Sequence, residues 1–341
     1  MSEYTGRDRL RAAYRREYAD RVPFYPLTGV AIAKFAGFTV REFLTEPAKL
    51  VKSTLAFYES YHPDLLVVAT DTILDAEAFG NELEFPENTM PHTKRQVLED
   101  KANLAKLDVP DPMRDGRLPG FLEACGQVAS AVKDSAVGGF VNGPWVTASH
   151  MRGMEQLIYD TVDDPDFVHR LMRLTTEMAK KFAAAQKDVG VGLGMGEAAS
   201  SCSLISPDIY RTFIKPYHQE IIDYFQGRGI PFGLHICGYI DPIMEDVVST
   251  AVASLSIDAP SSLKKLVEIA QGRTVVIGNV PTPLFLEGTR EQMEAAVKEC
   301  IETGAQSPGY ILCSGCEVPA DSPVEGLQYF KDAALKYGSY A

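Results

Sequence analysis

The sequence predicts an α/β fold, a closed (β/α)8 barrel, and three observations predict it. Eight short β-rich runs recur along the chain. Longer segments with helical apolar spacing separate them, and strict alternation of this kind implies parallel strands joined by crossover helices. The C-terminal ends of the runs carry Asp71, Asn142, Glu197, His235, Cys237, Asp258, Asn279 and Cys316, and the chemistry of such barrels sits on that face. An open doubly wound sheet is the alternative. Its nucleotide fingerprint is absent, because the glycines of GVGLGMGEA precede an acidic residue and lack GxGxxG spacing.

The opening segment MSEYTGRDRLRAAYRREYADR is charged throughout. It predicts an N-terminal helical extension and lacks the apolar centre of a signal peptide, so the cytoplasm is the expected location. The first run is VPFYPL at 22–27, followed by an amphipathic segment at 40–61. LLVVATD at 65–71 is the second run. The stretch 82–117 mixes prolines and charges and reads as an irregular excursion from the barrel. GGFVNGP at 138–144 is the third run, and 155–187 predicts two helices divided near Pro165. After VGLGMGE at 191–197, Ser-Pro-Asp at 206–208 places a capping Ser and a first-turn Pro at the start of a helix reaching 229. PFGLHICG at 231–238, SLSIDA at 254–259, TVVIGNV at 274–280 and YILCSGC at 310–316 complete the set, with helices predicted at 241–250, 262–271 and 289–304.

One barrel domain is expected over 1–341. The formal net charge of −13 argues against nucleic acid or an anionic membrane surface as a partner. No apolar stretch approaches the roughly 18 residues that suggest a transmembrane helix. Six cysteines are too sparse for a disulfide framework, so their positions carry the information.

His235 and Cys237 lie two apart on a predicted strand and therefore face the same side, into the barrel mouth. Imidazole nitrogen and thiolate sulfur are ligands that zinc favours. Cys316, after Gly315 at the end of the eighth run, is the candidate third ligand, with Cys313 its competitor. Asp258, ending the sixth run, is a candidate fourth ligand or a residue that orients one. Structural zinc sites usually draw on paired short loops, whereas this set is dispersed and converges at the mouth, which suits a catalytic ion with an open position. Two thiolates make such an ion a weak acidifier of water but a good holder of a soft thiolate, so the set leans towards alkyl transfer and away from hydrolysis. Asp71 and Glu197 are candidate substrate-orienting residues, and Asn142 and Asn279 candidate donors to a bound group. Each has a structural alternative as a cap or loop tie. Trp145 and His150 follow the third run as further pocket candidates, packing being the commoner use of a Trp, while Tyr217 and His218 read as helix packing or surface.

HICG followed by SGCEVPADSPVEGLQYF resembles the uroporphyrinogen decarboxylase superfamily, and within it the cobamide-dependent methyltransferases. PDLLVVATDTILDAEAFG, GFVNGPWVTASHM and SLISPDIYRTFIKPYHQEII match as well, so the resemblance covers nearly the whole chain. It implies a (β/α)8 barrel and zinc held by His235, Cys237 and Cys316. It also implies a methyl group passed between a small thiol or methylated substrate and the corrinoid (cobalamin) of a partner protein docked over the mouth. Asp258 stands where those methyltransferases carry a longer Glu, so its reach to the metal is a departure. Asp71 matches the decarboxylases' key Asp by position. Two further departures set this chain apart from a decarboxylase: LTGVAIAKFAGFTVREF offers only Lys34 and Arg41 where an Arg-rich motif is expected, and no His follows His235. A decarboxylase and a non-catalytic corrinoid- or tetrapyrrole-binding barrel are the alternatives.

Overall fold

Parallel pairing carries the strands round a ring. The computed structural model describes residues 4–306 and 308–340; residues 1–3, 307 and 341 of the predicted span lie outside them. The barrel strands are β1 (Phe24–Tyr25), β2 (Leu65–Val67), β3 in two halves (Ala136–Gly138 and Val141–Asn142), β4 (Leu193–Glu197), β5 (Phe232–Ile236), β6 (Ser254–Ile257), β7 (Val275–Val280) and β8 (Tyr310–Ser314). β1 pairs with β8, and the ladder continues through β7, β6, β5 and β4 to the second half of β3, while the first half pairs with β2. The Asp64 N–H donates to the Phe24 carbonyl at 3.0 Å and brings β2 back against β1.

The third strand departs from its prediction as one continuous run. It breaks at Gly139 and Phe140, where the Gln186 amide donates to the Phe140 carbonyl at 3.0 Å. A side chain there supplies the hydrogen bond that the ladder omits. The segment predicted at 40–61 is two helices, Val40–Thr45 and Pro47–Tyr61, because Pro47 lacks the N–H that would continue the first and suits the start of the second. Met154–Asp163 and Pro165–Asp188 divide at Pro165 as expected. The excursion is an antiparallel hairpin, Glu82–Glu84 with His92–Arg95, followed by the short turn Lys101–Lys106.

Two apolar clusters follow from strand alternation. The larger packs the outer faces of the strands against the helices, as where Phe232 stacks on Phe225 with ring centroids 4.9 Å apart. The smaller lies inside the barrel, where Tyr25, Val67, Ile277 and Ile311 meet Leu10 and Ala13 of the helix Gly6–Arg15 at the N-terminal end. No helix among the described residues is long and apolar enough to cross a membrane.

Candidate metal centre

β5 is buried along its length, and its register fixes which side chains face the barrel axis. His235 lies beside Gly196 of β4 and Ser256 of β6, so all three point inward. Ser256 Oγ stands 3.0 Å from His235 Nδ1. That bond orients the ring and leaves Nε2 facing the sulfurs, 3.3 Å from Cys237 Sγ. Cys237 Sγ is in turn 3.1 Å from Cys316 Sγ. One ligand atom from each of the three residues lies within 4.8 Å of the others, with His235 buried and the two cysteines half-buried. Tertiary structure thus brings together residues 79 positions apart.

The contact between the two thiols, in which either sulfur can donate, pushes the Cys316 thiol down to about 5, with His235 assisting against the effect of burial. The same bond, and burial, push Cys237 well up. A divalent cation held here would displace the thiol protons. Cys313, the competing candidate, is fully buried and faces the interior beside Tyr25; burial pushes its thiol up to about 12.

Asp258 is not brought into the ligand set. Its Oδ2 accepts the Gly238 N–H at 2.8 Å and its Oδ1 the Ala259 N–H at 2.7 Å. The carboxylate is committed to the turn that follows Cys237, which it holds in place.

Glu197 corrects the reading of strand ends. Gly196 faces inward beside His235, so Glu197, one residue on, faces outward like its neighbour Ile236. It is fully buried under the helix Pro144–Arg152 and accepts the Trp145 and Val146 N–H groups at 3.0 and 3.2 Å. His218 Nε2 lies 3.2 Å away, itself fully buried and 3.3 Å from the Tyr210 hydroxyl. An anion at a helix N-terminus is favourable, and Glu197 serves the scaffold rather than the mouth. Gly143 is required there: a Cβ on it would stand 2.1 Å from Glu197 Oε1. Asn279 likewise has scaffold partners. It gives its amide protons to the Asp258 and Ser261 carbonyls at 3.2 and 2.9 Å, which ties the loop after β6.

Asn142 and Asp71 do reach the mouth side. Asn142 is in register with inward-facing Gly196 and donates to Asp75 Oδ2 at 2.5 Å. Asp71 is 1% exposed and is held by Arg117 at 2.7 Å and the Ile73 N–H at 3.0 Å. It borders a cavity of about 530 Å³ roofed by the hairpin, with His150, Ser149, Thr72 and Met90 among its walls. Burial pushes the His150 imidazole down.

Two acidic residues beside this set escaped sequence reasoning. Asp75 is buried, Oδ1 has no hydrogen-bond partner, and burial raises its carboxyl to about 7. Its spacing of four from Asp71 was the available signal. Glu317 follows Cys316 directly; removal from water, with Cys316 and Asp71 nearby, raises it to about 7. Its carboxylate accepts the Val30 N–H at 3.2 Å and lies over Gly29, whose φ of +49° and absent side chain make the seat.

A family model described as uroporphyrinogen decarboxylase (URO-D) matches residues 5–337. The chain belongs to the uroporphyrinogen decarboxylase family. Within that family it is similar to the methylcobamide:CoM methyltransferase MtaA of Methanosarcina barkeri, 25% identical over 351 residues that cover 99% of each chain. MtbA of Methanosarcina mazei, also a methylcobamide:CoM methyltransferase, is 25% identical over 349 residues, again 99% of each chain. A uroporphyrinogen decarboxylase from a Synechococcus species is 24% identical over 300 residues, 85% of this chain and 83% of its own. The solved structure of a methyltransferase from Methanosarcina mazei superposes with a TM-score of 0.89 at 26% identity, covering 98% of this chain and 99% of that one.

Proposed function

We propose that this family member is a zinc-dependent methyltransferase that moves a methyl group between the corrinoid of a partner protein and a small thiol or methylated substrate. The convergence of His235, Cys237 and Cys316 at the C-terminal mouth, with ligand atoms within 4.8 Å, carries the reading. One imidazole and two thiols form a donor set that suits zinc, and three protein ligands leave the open position of a catalytic site. The likeness to MtaA and MtbA over the full chain supports the corrinoid part.

Zinc bound there would supply a soft, electron-rich centre that keeps a substrate sulfur nucleophilic or polarises a leaving heteroatom. The chain's own residues do the rest. Ser256 holds His235 in one orientation, and Asp258 holds the turn carrying Cys237. Cys237 and Cys316 would give up thiol protons in becoming ligands. Asp71 is held by Arg117 and borders the cavity under the hairpin.

The test is metal content followed by activity. Purified protein should carry about one zinc per chain, and Cys316→Ala should lose most of it. Methyl transfer from methylcobalamin to thiols, or from methoxylated aromatics to reduced cobalamin, should fall with the metal. Protein that retains no zinc and decarboxylates a porphyrinogen would overturn the proposal in favour of the decarboxylase relatives.

A further inference from the structure

Barrel interiors are ordinarily filled by layers of bulky branched side chains. This one is not. On the side formed by β3 to β6 the inward strand positions Ala136, Gly138, Gly194, Gly233 and Ser254 are small, the last three side by side in register, and the Phe140 ring lies over Gly194 and Gly196. The opposite wall, with Leu65, Val67, Ile277 and Ile311, is aliphatic. Between them lies a cavity of about 560 Å³, within the range of small-molecule sites.

The cavity runs from the N-terminal face, where Gly190, Ile230 and Pro231 precede β4 and β5, to the ring of His235. The four-residue rise from Pro231 to His235 makes it about 13 Å deep. Its charge is as informative as its shape. The chain as a whole is strongly acidic, yet among the described residues no Asp or Glu lines this cavity, while Arg7, Arg11 and Lys187 do. Arg7 spends its protons on the neutral Val132 and Ser135 carbonyls, at 2.9 and 2.8 Å. Arg11 is largely exposed and meets only Asp8, at 3.7 Å. Midway along, the Tyr14 hydroxyl donates to Ser254 Oγ at 2.9 Å. Cations at one end, aliphatic walls and hydroxyls along the length, and an imidazole at the far end describe one kind of guest.

We infer that the barrel lumen binds a small organic anion with an apolar body, its charged end at Arg7, Arg11 and Lys187 and its other end against His235, reached from the face opposite to the thiols. The inference goes beyond the proposed methyl transfer and does not depend on it. It leaves the C-terminal mouth free for a macromolecular partner while a small molecule occupies the interior. Ser256 and His235 both line the lumen and lie 3.0 Å apart, Oγ to Nδ1, at its inner end.

Octanoate is the probe, with 1-octanol as its neutral counterpart, titrated into the full-length protein by calorimetry. Octanoate should bind once per chain and at least tenfold more tightly than octanol. Gly138→Val projects into the lumen with its Cβ in ordinary contact, 3.4 Å from Leu65 and 3.9 Å from Val67. It should weaken octanoate at least tenfold with zinc content and thermal midpoint unchanged. The exposed pair Arg11→Gln with Lys187→Gln, which leaves the core untouched, should weaken octanoate but not octanol. No binding, many weak sites per chain, equal affinity for the alcohol, or affinity indifferent to Gly138→Val overturns the inference. Octanoate binding in a protein without methyl transfer removes the proposed function alone. Methyl transfer with no lumen binding removes this inference alone.

Discussion

Glu197→Ala removes a fully buried carboxylate that accepts two backbone N–H groups at the start of the helix Pro144–Arg152 and faces His218. Hydrogen bonds to a charged acceptor contribute about 1.5–3 kcal/mol each, and an anion at a partly buried helix N-terminus up to about 2 kcal/mol. Against these stands the desolvation of the carboxylate itself, which its removal relieves. Leaving the two buried N–H donors without an acceptor costs about 1–3 kcal/mol each, a large share of the roughly 5–15 kcal/mol that holds a typical domain together. Trp145, the only Trp, donates one of the two N–H groups, so urea unfolding followed by its fluorescence reports on the perturbed helix directly. The variant should unfold at clearly lower urea, and protein that stays folded should keep its zinc. Wild-type stability combined with lost activity would show that Glu197 acts on substrate and that its outward orientation has been misread.

Ser256→Ala frees His235 Nδ1 from its partner at 3.0 Å and should weaken zinc binding about 10- to 100-fold without unfolding the chain; competition with a chromogenic chelator measures this, and unchanged affinity contradicts it. Asp75 gives a pH prediction. Its carboxyl is raised from 3.8 to about 7, chiefly by burial, so the folded state holds a proton that the unfolded state releases, and stability falls as pH rises from about 4 to about 7. At about 1.4 kcal/mol per pH unit the penalty is on the order of 4 kcal/mol at most. Asp75→Asn should therefore stabilise the protein at pH 8 and change little at pH 4; the opposite pH dependence in denaturant titrations would refute it. Gly29→Ala sets a Cβ 1.8 Å from Glu317 Oε1 at a φ of +49°, whereas Gly37→Ala, at a φ of +74°, meets nothing within 4 Å. Gly37→Ala should show only the backbone penalty, about 1–2 kcal/mol, and Gly29→Ala clearly more; equal losses would mean that Glu317 is not seated over Gly29.

The alternation of β and α segments and the strand-end position of His235 and Cys237 were legible because each depends on a period of a few residues. Pro47 and Pro165 divide helices by local chemistry, although at Pro47 the apolar spacing masked the break. The inward or outward sense of a strand end is a different matter. Glu197 and Asn279 occupy the same nominal positions as His235, yet Glu197 lies one residue out of phase and Asn279 is captured by loop carbonyls. A one-residue shift moves a side chain to the other face of the sheet, and only the ladder to the neighbouring strand sets it. Glu317 and Asp75 owe their weakened acidity to removal from water by segments distant in sequence.

Local order in the chain therefore determined the barrel and the His-x-Cys pair, since backbone periodicity acts over a few residues, while the approach of Cys316 to that pair was decided by the fold. Tertiary structure alone decided that Asp258 braces a turn, that Glu197 anchors a helix, and that the lumen stays open with cations at one end. Register, burial and the filling of space are set jointly by strands that the chain brings together from far apart.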